Sequence, residues 1–185
     1  MNRQALAALA FGAAVAFATP GFAQKPVTVG GAPMFANKTI VENAVNSKDH
    51  ETLVAAVKAA GLVDTLSSAG PFTVFAPTDR AFEKLPAGTV ESLVQPAQKA
   101  TLTSVLTYHV VPGRFTAQDL MAEVKRGGGR AVLKTAQGGT LTVMQAGKGL
   151  TITDSKGGKS RVTIANVLQS NGVIHVVDTV LMPAG

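Results

Sequence analysis

Apolar residues along this chain change rhythm near its middle, from a spacing of three to four to strict alternation. In Asp49–Ala60, Leu53, Val54 and Val57 share one face, Asp49 and Glu51 stand in the first turn, and Gly61 follows the last. That pattern predicts an amphipathic helix with acidic residues at its positive end and a glycine stop. Pro71–Ala76 is short, aromatic and β-branched, hence a strand, and runs into Pro77-Thr78-Asp79, where Thr78 or Asp79 can cap a helix over Arg80–Leu85. Thr89–Val94 and Pro96–Leu106 read as two more helical stretches, the second with Leu102, Val105 and Leu106 facing inward. Tyr108–Val111 has strand character and stops at Pro112-Gly113, and Thr116-x-x-Asp119 opens a helix through Val124 with a capping-box pattern.

Past Gly127-Gly128-Gly129 the period falls to two. Leu141/Val143, Ile152, Val162/Ile164 and the run Val173–Leu181 are separated by glycine turns, of which Asn171-Gly172 carries the strongest hairpin signal. Helices in the first half and an antiparallel meander in the second define a segregated α+β class. No internal repeat is found.

The N-terminus is set apart from this fold. Behind Arg3, an apolar run from Ala5 to Ala18 leads to Thr19-Pro20-Gly21-Phe22-Ala23. A basic start, an apolar stretch and small residues at the exit make 1–23 a secretory signal peptide. A membrane span is the competing reading, but it needs roughly 20 apolar residues and this run is shorter. Residues 24–38, rich in Pro and Gly, read as a flexible arm, and 39–185 as one domain. The expected product is exported, to the periplasm or beyond, soluble and monomeric, without stable membrane insertion.

Composition narrows the chemistry. Of 185 residues, 46% are hydrophobic and 15% charged, so a disordered chain is excluded. There is no cysteine, which removes disulfides, thiol nucleophiles and cysteine-held zinc. The net charge of +6 is concentrated: Lys125, Arg126, Arg130, Lys134, Lys148, Lys156, Lys159 and Arg161 share their segment with a single acid, Asp154. Such a segment attracts polyanions within a Debye length of about 8–10 Å. Export and the absence of interleaved aromatics argue against nucleic acid. Solubilising charge on turns and exposed strand faces is the plainer alternative.

Motifs for catalysis fail on spacing. Gly157-Gly158-Lys159-Ser160 ends like a phosphate loop, yet Thr153 stands where the first glycine belongs and a strand follows. His50, His109 and His175 come from separate elements without metal-ligand spacing, which leaves His50 as an exposed helical residue and the other two as partly buried, hydrogen-bonded ones. No Gly-x-Ser-x-Gly elbow occurs, and Asp79 with Glu83 is a solvated surface pair. No metal, cofactor or enzymatic activity is expected.

Three segments in order carry a recognisable pattern: Phe72–Phe82, Tyr108–Gly113 and Asn171–Pro183. They resemble the two signature segments and the central Tyr-His motif of the fasciclin (FAS1) domain, over about Thr39 to Pro183. The resemblance implies a β-wedge of two mainly antiparallel sheets with a helical layer. It also implies an adhesion module of secreted and surface proteins, binding without catalytic residues or an obligatory cofactor. Partner contact in animal members is attributed to the Tyr-His region and to an Asp-Ile-type pair before the last signature. Here these positions are Tyr108 and His109, and Asn166 and Val167, so the acidic side chain is missing from the second pair.

The function expected is therefore non-covalent binding of a cell-surface or matrix protein or polysaccharide. The alternative is polyanion binding, to anionic polysaccharide or lipid head groups, through 125–161. A small-ligand carrier or an uncharacterised hydrolase is a third option, and the carrier requires a sizeable apolar pocket.

Overall fold

The structure is a computed structural model, and it describes residues 25–184. The signal-peptide reading of 1–23 lies outside the described residues.

The stretch read as a flexible arm is a hairpin, β1 (Val27–Val29) and β2 (Ala32–Met34), which buries Val29 and Met34. Five α-helices follow around the strand β3 (Phe72–Pro77): α1 (Ile40–Ala44), α2 (Glu51–Ala60) and α3 (Val63–Ser67) before it, α4 (Asp79–Glu83) and α5 (Thr89–Leu93) after it. A 3-10 turn, Pro96–Gln98, then opens into α6 (Lys99–Tyr108), and β4 (Val110–Pro112) leads to α7 (Ala117–Arg126). The meander is β5 (Arg130–Lys134), β6 (Thr140–Ala146), β7 (Gly149–Thr153), β8 (Lys159–Gln169) and β9 (Gly172–Val177). The sequence reading missed α1, α3 and β5, although α4, α5 and β7, of the same five-residue length, were anticipated.

Seven strands are ordered β4-β3-β9-β8-β7-β6-β5, antiparallel except for the parallel pair β3–β9. The eleven-residue β8 belongs to both halves of this sheet. Lys159–Arg161 pair with β7, Val162–Gln169 pair with β9, and two register shifts between Val162 and Val167 separate the halves. Bulges bend a strand and sharpen its twist, so this one strand turns the sheet into the two leaves of a wedge. At the far end the two edge regions meet, where the Ala136 N–H donates to the Val110 carbonyl at 2.7 Å.

Two apolar cores lie on opposite sides of β3 and β9. One holds Val74, Ala76, Ile174 and Val176 against α1, α2, α6 and the β1–β2 hairpin, and the other holds Phe75, Val177, Leu181 and Tyr108 against α7 and the meander. Covered on both faces, these strands read as unbroken apolar runs, as parallel strands do.

The β8–β9 turn is Ser170-Asn171, one residue earlier than the Asn-Gly signal suggests. The buried Asn171 side chain accepts from the Ile40 N–H at 3.0 Å and donates to the carbonyls of Leu66 and Ser68, both at 2.8 Å, tying α1 and α3 to the sheet. Gly172 is required because any Cβ there would run into the Phe72 carbonyl of β3.

Asn171→Ala leaves one buried donor and two acceptors without partners, and is expected to lower stability by about 2–4 kcal/mol. Urea unfolding checks this; a loss below about 0.5 kcal/mol would mean that α1 and α3 are not held by this side chain.

Candidate functional site

Tyr108 is the last residue of α6 and His109 its C-cap, so the strand expected over Tyr108–Val111 begins only at Val110. Both side chains are interior, at 0% and 2% exposure. The Tyr108 hydroxyl donates to the Thr140 carbonyl at 2.6 Å, accepts from the Ser155 N–H at 2.9 Å and lies 2.8 Å from Ser155 Oγ. It thereby fastens α6 to the start of β6 and to the β7–β8 turn. His109 Nδ1 donates to the Val105 carbonyl at 2.8 Å, and Nε2 accepts from the Leu181 N–H at 2.9 Å. These partners specify a neutral ring with its proton on Nδ1. Burial pushes its pKa from 6.5 down to about 4, with the Val105 carbonyl and Asp154 opposing the shift.

His175, in β9, is fully buried and stacks on Phe75 with ring centroids 5.7 Å apart. Its Nε2 donates to the Phe115 carbonyl at 2.8 Å and its Nδ1 accepts from the Asn166 N–H at 3.4 Å, the tautomer opposite to that of His109. Asn166 sits in the bulge of β8 at φ 59°, a left-handed conformation that asparagine tolerates. Its Oδ1 accepts from Ala117 N at 2.7 Å and its Nδ2 donates to Gln118 Oε1 at 3.0 Å, so the amide joins the bulge to the first turn of α7. An aspartate could accept the first bond but not donate the second. Val167 is buried in the helical-side core.

Of the four residues expected to touch a partner, Tyr108, His109 and Val167 are thus inside the molecule, and the half-buried Asn166 is committed to α7. Buried polar tips demand partners, and the fold supplies them for Tyr108, His109 and Asn166.

Two further expectations need correction. His50 is buried rather than exposed, because α2 starts at Glu51, two residues later than expected, and leaves it at the N-cap. Its Nδ1 lies 2.8 Å from Ser47 Oγ, while Nε2 has no hydrogen-bond partner among the described residues. The Ala76 carbonyl faces the ring without reaching hydrogen-bond geometry, and burial dominates in pushing the pKa down. Asp79 is no mere surface acid. Its carboxylate accepts from Thr52 N at 2.8 Å and Glu51 N at 3.3 Å, capping α2, while Thr78 caps its own helix through Ala81 N.

The eight basic residues are all exposed. Pairing register places Arg130, Met144, Thr151 and Arg161 in one row across the outer face of β5–β8, and Val132, Thr142, Thr153 and Lys159 in the next, with Lys134 beside Thr140 beyond. Lys125 and Arg126 end α7, Lys148 sits in the β6–β7 turn and Lys156 in the β7–β8 turn. Asp154, the segment's only acid, is turned inward and accepts from the N–H groups of Lys156, Gly158 and Met182. Arg126 pairs with Glu123 at 3.0 Å, and among the described residues no other of the eight makes an ion pair. The rows expose Val132 and Met144 between the cations, at 63% and 43%.

What this defines is an α+β domain with a wired interior and one sheet face carrying basic residues. The fasciclin domain model matches residues 48–183, and the chain belongs to that family. It is 45% identical over 170 residues to protein sll1483 of a Synechocystis strain, covering 91% of this chain and 87% of that one. It is 35% identical over 168 residues to the cell surface glycolipoprotein MPB83 of Mycobacterium bovis, covering 87% and 68%. The fold matches a FAS1 domain pair from the insect cell adhesion molecule Fasciclin I with a TM-score of 0.70 at 22% identity, over 78% of this chain and 51% of that one.

The His109 ring stays neutral in the fold, whereas in the unfolded chain it takes up a proton near 6.5. Its contribution to stability is therefore full above that pH and is lost as pH falls towards 4, by up to about 3 kcal/mol. His50 and His175, also lowered by burial, act in the same sense. Urea midpoints across this range should fall with acidity, and His109→Phe should flatten part of the slope. An unchanged slope in that variant would show that the ring is not held neutral.

Proposed function

We propose that this fasciclin domain is an exported surface-interaction module that works by non-covalent recognition, and that its contact surface is the outer face of β5–β8. The fasciclin family of cell-adhesion and surface proteins, a relative named as a cell surface glycolipoprotein, and the apolar leader at 1–23 support the location and the type of activity.

One observation carries the choice of surface. Arg130, Lys134, Lys159 and Arg161 converge on a sheet face whose rows contain no acid, with Lys125, Lys148 and Lys156 around its rim. With strands about 4.8 Å apart, Arg130 and Arg161 stand roughly 14 Å from each other across four strands. Threonine hydroxyls between them can donate to and accept from sugar hydroxyls. The partner that fits is an anionic polysaccharide lying across the strands, with its acidic groups over the cations and its sugar faces over Val132 and Met144.

Titration with dextran sulfate at low ionic strength should give saturable binding that weakens about tenfold or more at physiological salt. Neutral dextran should not bind. Charge reversal of Arg130, Lys134, Lys159 and Arg161 to Glu, all exposed positions, should abolish binding while leaving the melting temperature within a few degrees. Undiminished binding by that variant would place the contact elsewhere.

A further inference from the structure

Between the helices α1, α2 and α3 and the helical-side face of β3 and β9 lies a cavity of about 240 Å³. Its floor is Val74, Ala76 and Ile174, its back wall Leu106 and Val110. The mouth is formed by Val41, Val45, Val54 and Val63, half-buried except for Val45, which is 50% exposed, with the exposed Lys58 at the rim. Protein interiors contain few voids larger than a water molecule, so a hollow of this size beside two central strands needs an explanation. The hairpin β1–β2, which closes one side through Val29 and Met34, is part of the same enclosure.

We infer that this cavity is a binding site for a small, predominantly apolar molecule with one acidic end, its hydrocarbon body between the helices and β3–β9 and its acidic end at the mouth beside Lys58. Three features select that class. The wall is formed almost wholly by apolar atoms, so a polar body would lose its hydration without compensation. A cavity near 150 Å³ holds benzene, and scaling from it gives room for about ten non-hydrogen atoms, which admits a small molecule and excludes a peptide segment or a second copy of the chain. The cation exposed at the rim is Lys58, whose stem lines the opening while its ammonium reaches water, as amphipathic lysines do.

The groups that titrate around the cavity are His50 and His109 in its wall and Lys58 at its rim. Both imidazoles are neutral near physiological pH, which keeps the interior suited to hydrocarbon. His50, one of the wall residues, bears the buried Nε2 that has no hydrogen-bond partner among the described residues.

The test uses 2-naphthoate and 2-naphthol, followed by their own fluorescence and by the shift in melting temperature of the protein. Saturable one-to-one binding of both is expected, with naphthoate tighter by about three- to tenfold through its charge at the mouth. Val54→Trp, at a half-buried position of α2, should block the opening and weaken both probes by about tenfold or more. Lys58→Glu, at an exposed position, should reverse the preference without weakening naphthol. Absence of saturable binding to the wild-type protein, or unchanged affinity in Val54→Trp, would overturn the site. Should Val54→Trp fail to fold, Lys58→Glu decides alone, and an unchanged preference for naphthoate would overturn the proposal. Neither outcome bears on the β5–β8 face, whose dextran sulfate binding both variants are expected to keep.

Discussion

A single chain of hydrogen bonds runs through the middle of the molecule, from the Val105 carbonyl through the His109 ring to the Leu181 N–H, and the arrangement around it follows from keeping that ring neutral. It joins the end of α6 to the segment after β9, while the neighbouring Tyr108 hydroxyl joins the same helix end to the start of β6 and the β7–β8 turn. The parallel pair β3–β9 is buried on both faces, and a sheet sealed in this way tolerates polar groups only when each finds a partner. His175 obeys the same rule with the opposite tautomer, and Asn171 and Asn166 extend it to the edges of the helical layer.

This division of labour separates two things that a family pattern runs together. Residues that mark the fold are the ones whose side chains are used up inside it, whereas the outer face of β5–β8 is built from positions where the fold asks only for alternation. Arg130, Val132 and Lys134 point outward between Ala131 and Leu133, which are buried. The fold leaves those outward identities free, and here they form rows of basic residues and threonines with no acid among them.

The α+β class, the main helices and the meander were legible because their periods are long enough to register, and the Thr116–Asp119 capping box appears as its spacing implies. Elements α1, α3 and β5 were not anticipated, and the hairpin 27–34 was hidden by its Gly and Pro content although Val29 and Met34 are core residues. The site was less legible than the fold. Sequence spacing cannot tell that Asp79 reaches across to α2, that Asn171 serves α1 and α3 rather than a turn, or that His50 lies inside, since each depends on an element distant in the chain. The lack of an acid at Asn166 was visible, but its use as a link to α7 required the backbone. One signal could have pointed to the basic face: charges at alternating positions on either side of glycine turns, which pairing register converts into rows.

The account rests on the Tyr-His pair being interior scaffold and not contact surface. Nitrogen NMR of the imidazole side chains tests that most directly. It should find His109 as one tautomer, protonated on Nδ1, untitrated until pH approaches 4 and unmoved when an anionic polysaccharide is added. A ring that titrates near 6.5, or that shifts directly with the added partner, would contradict it.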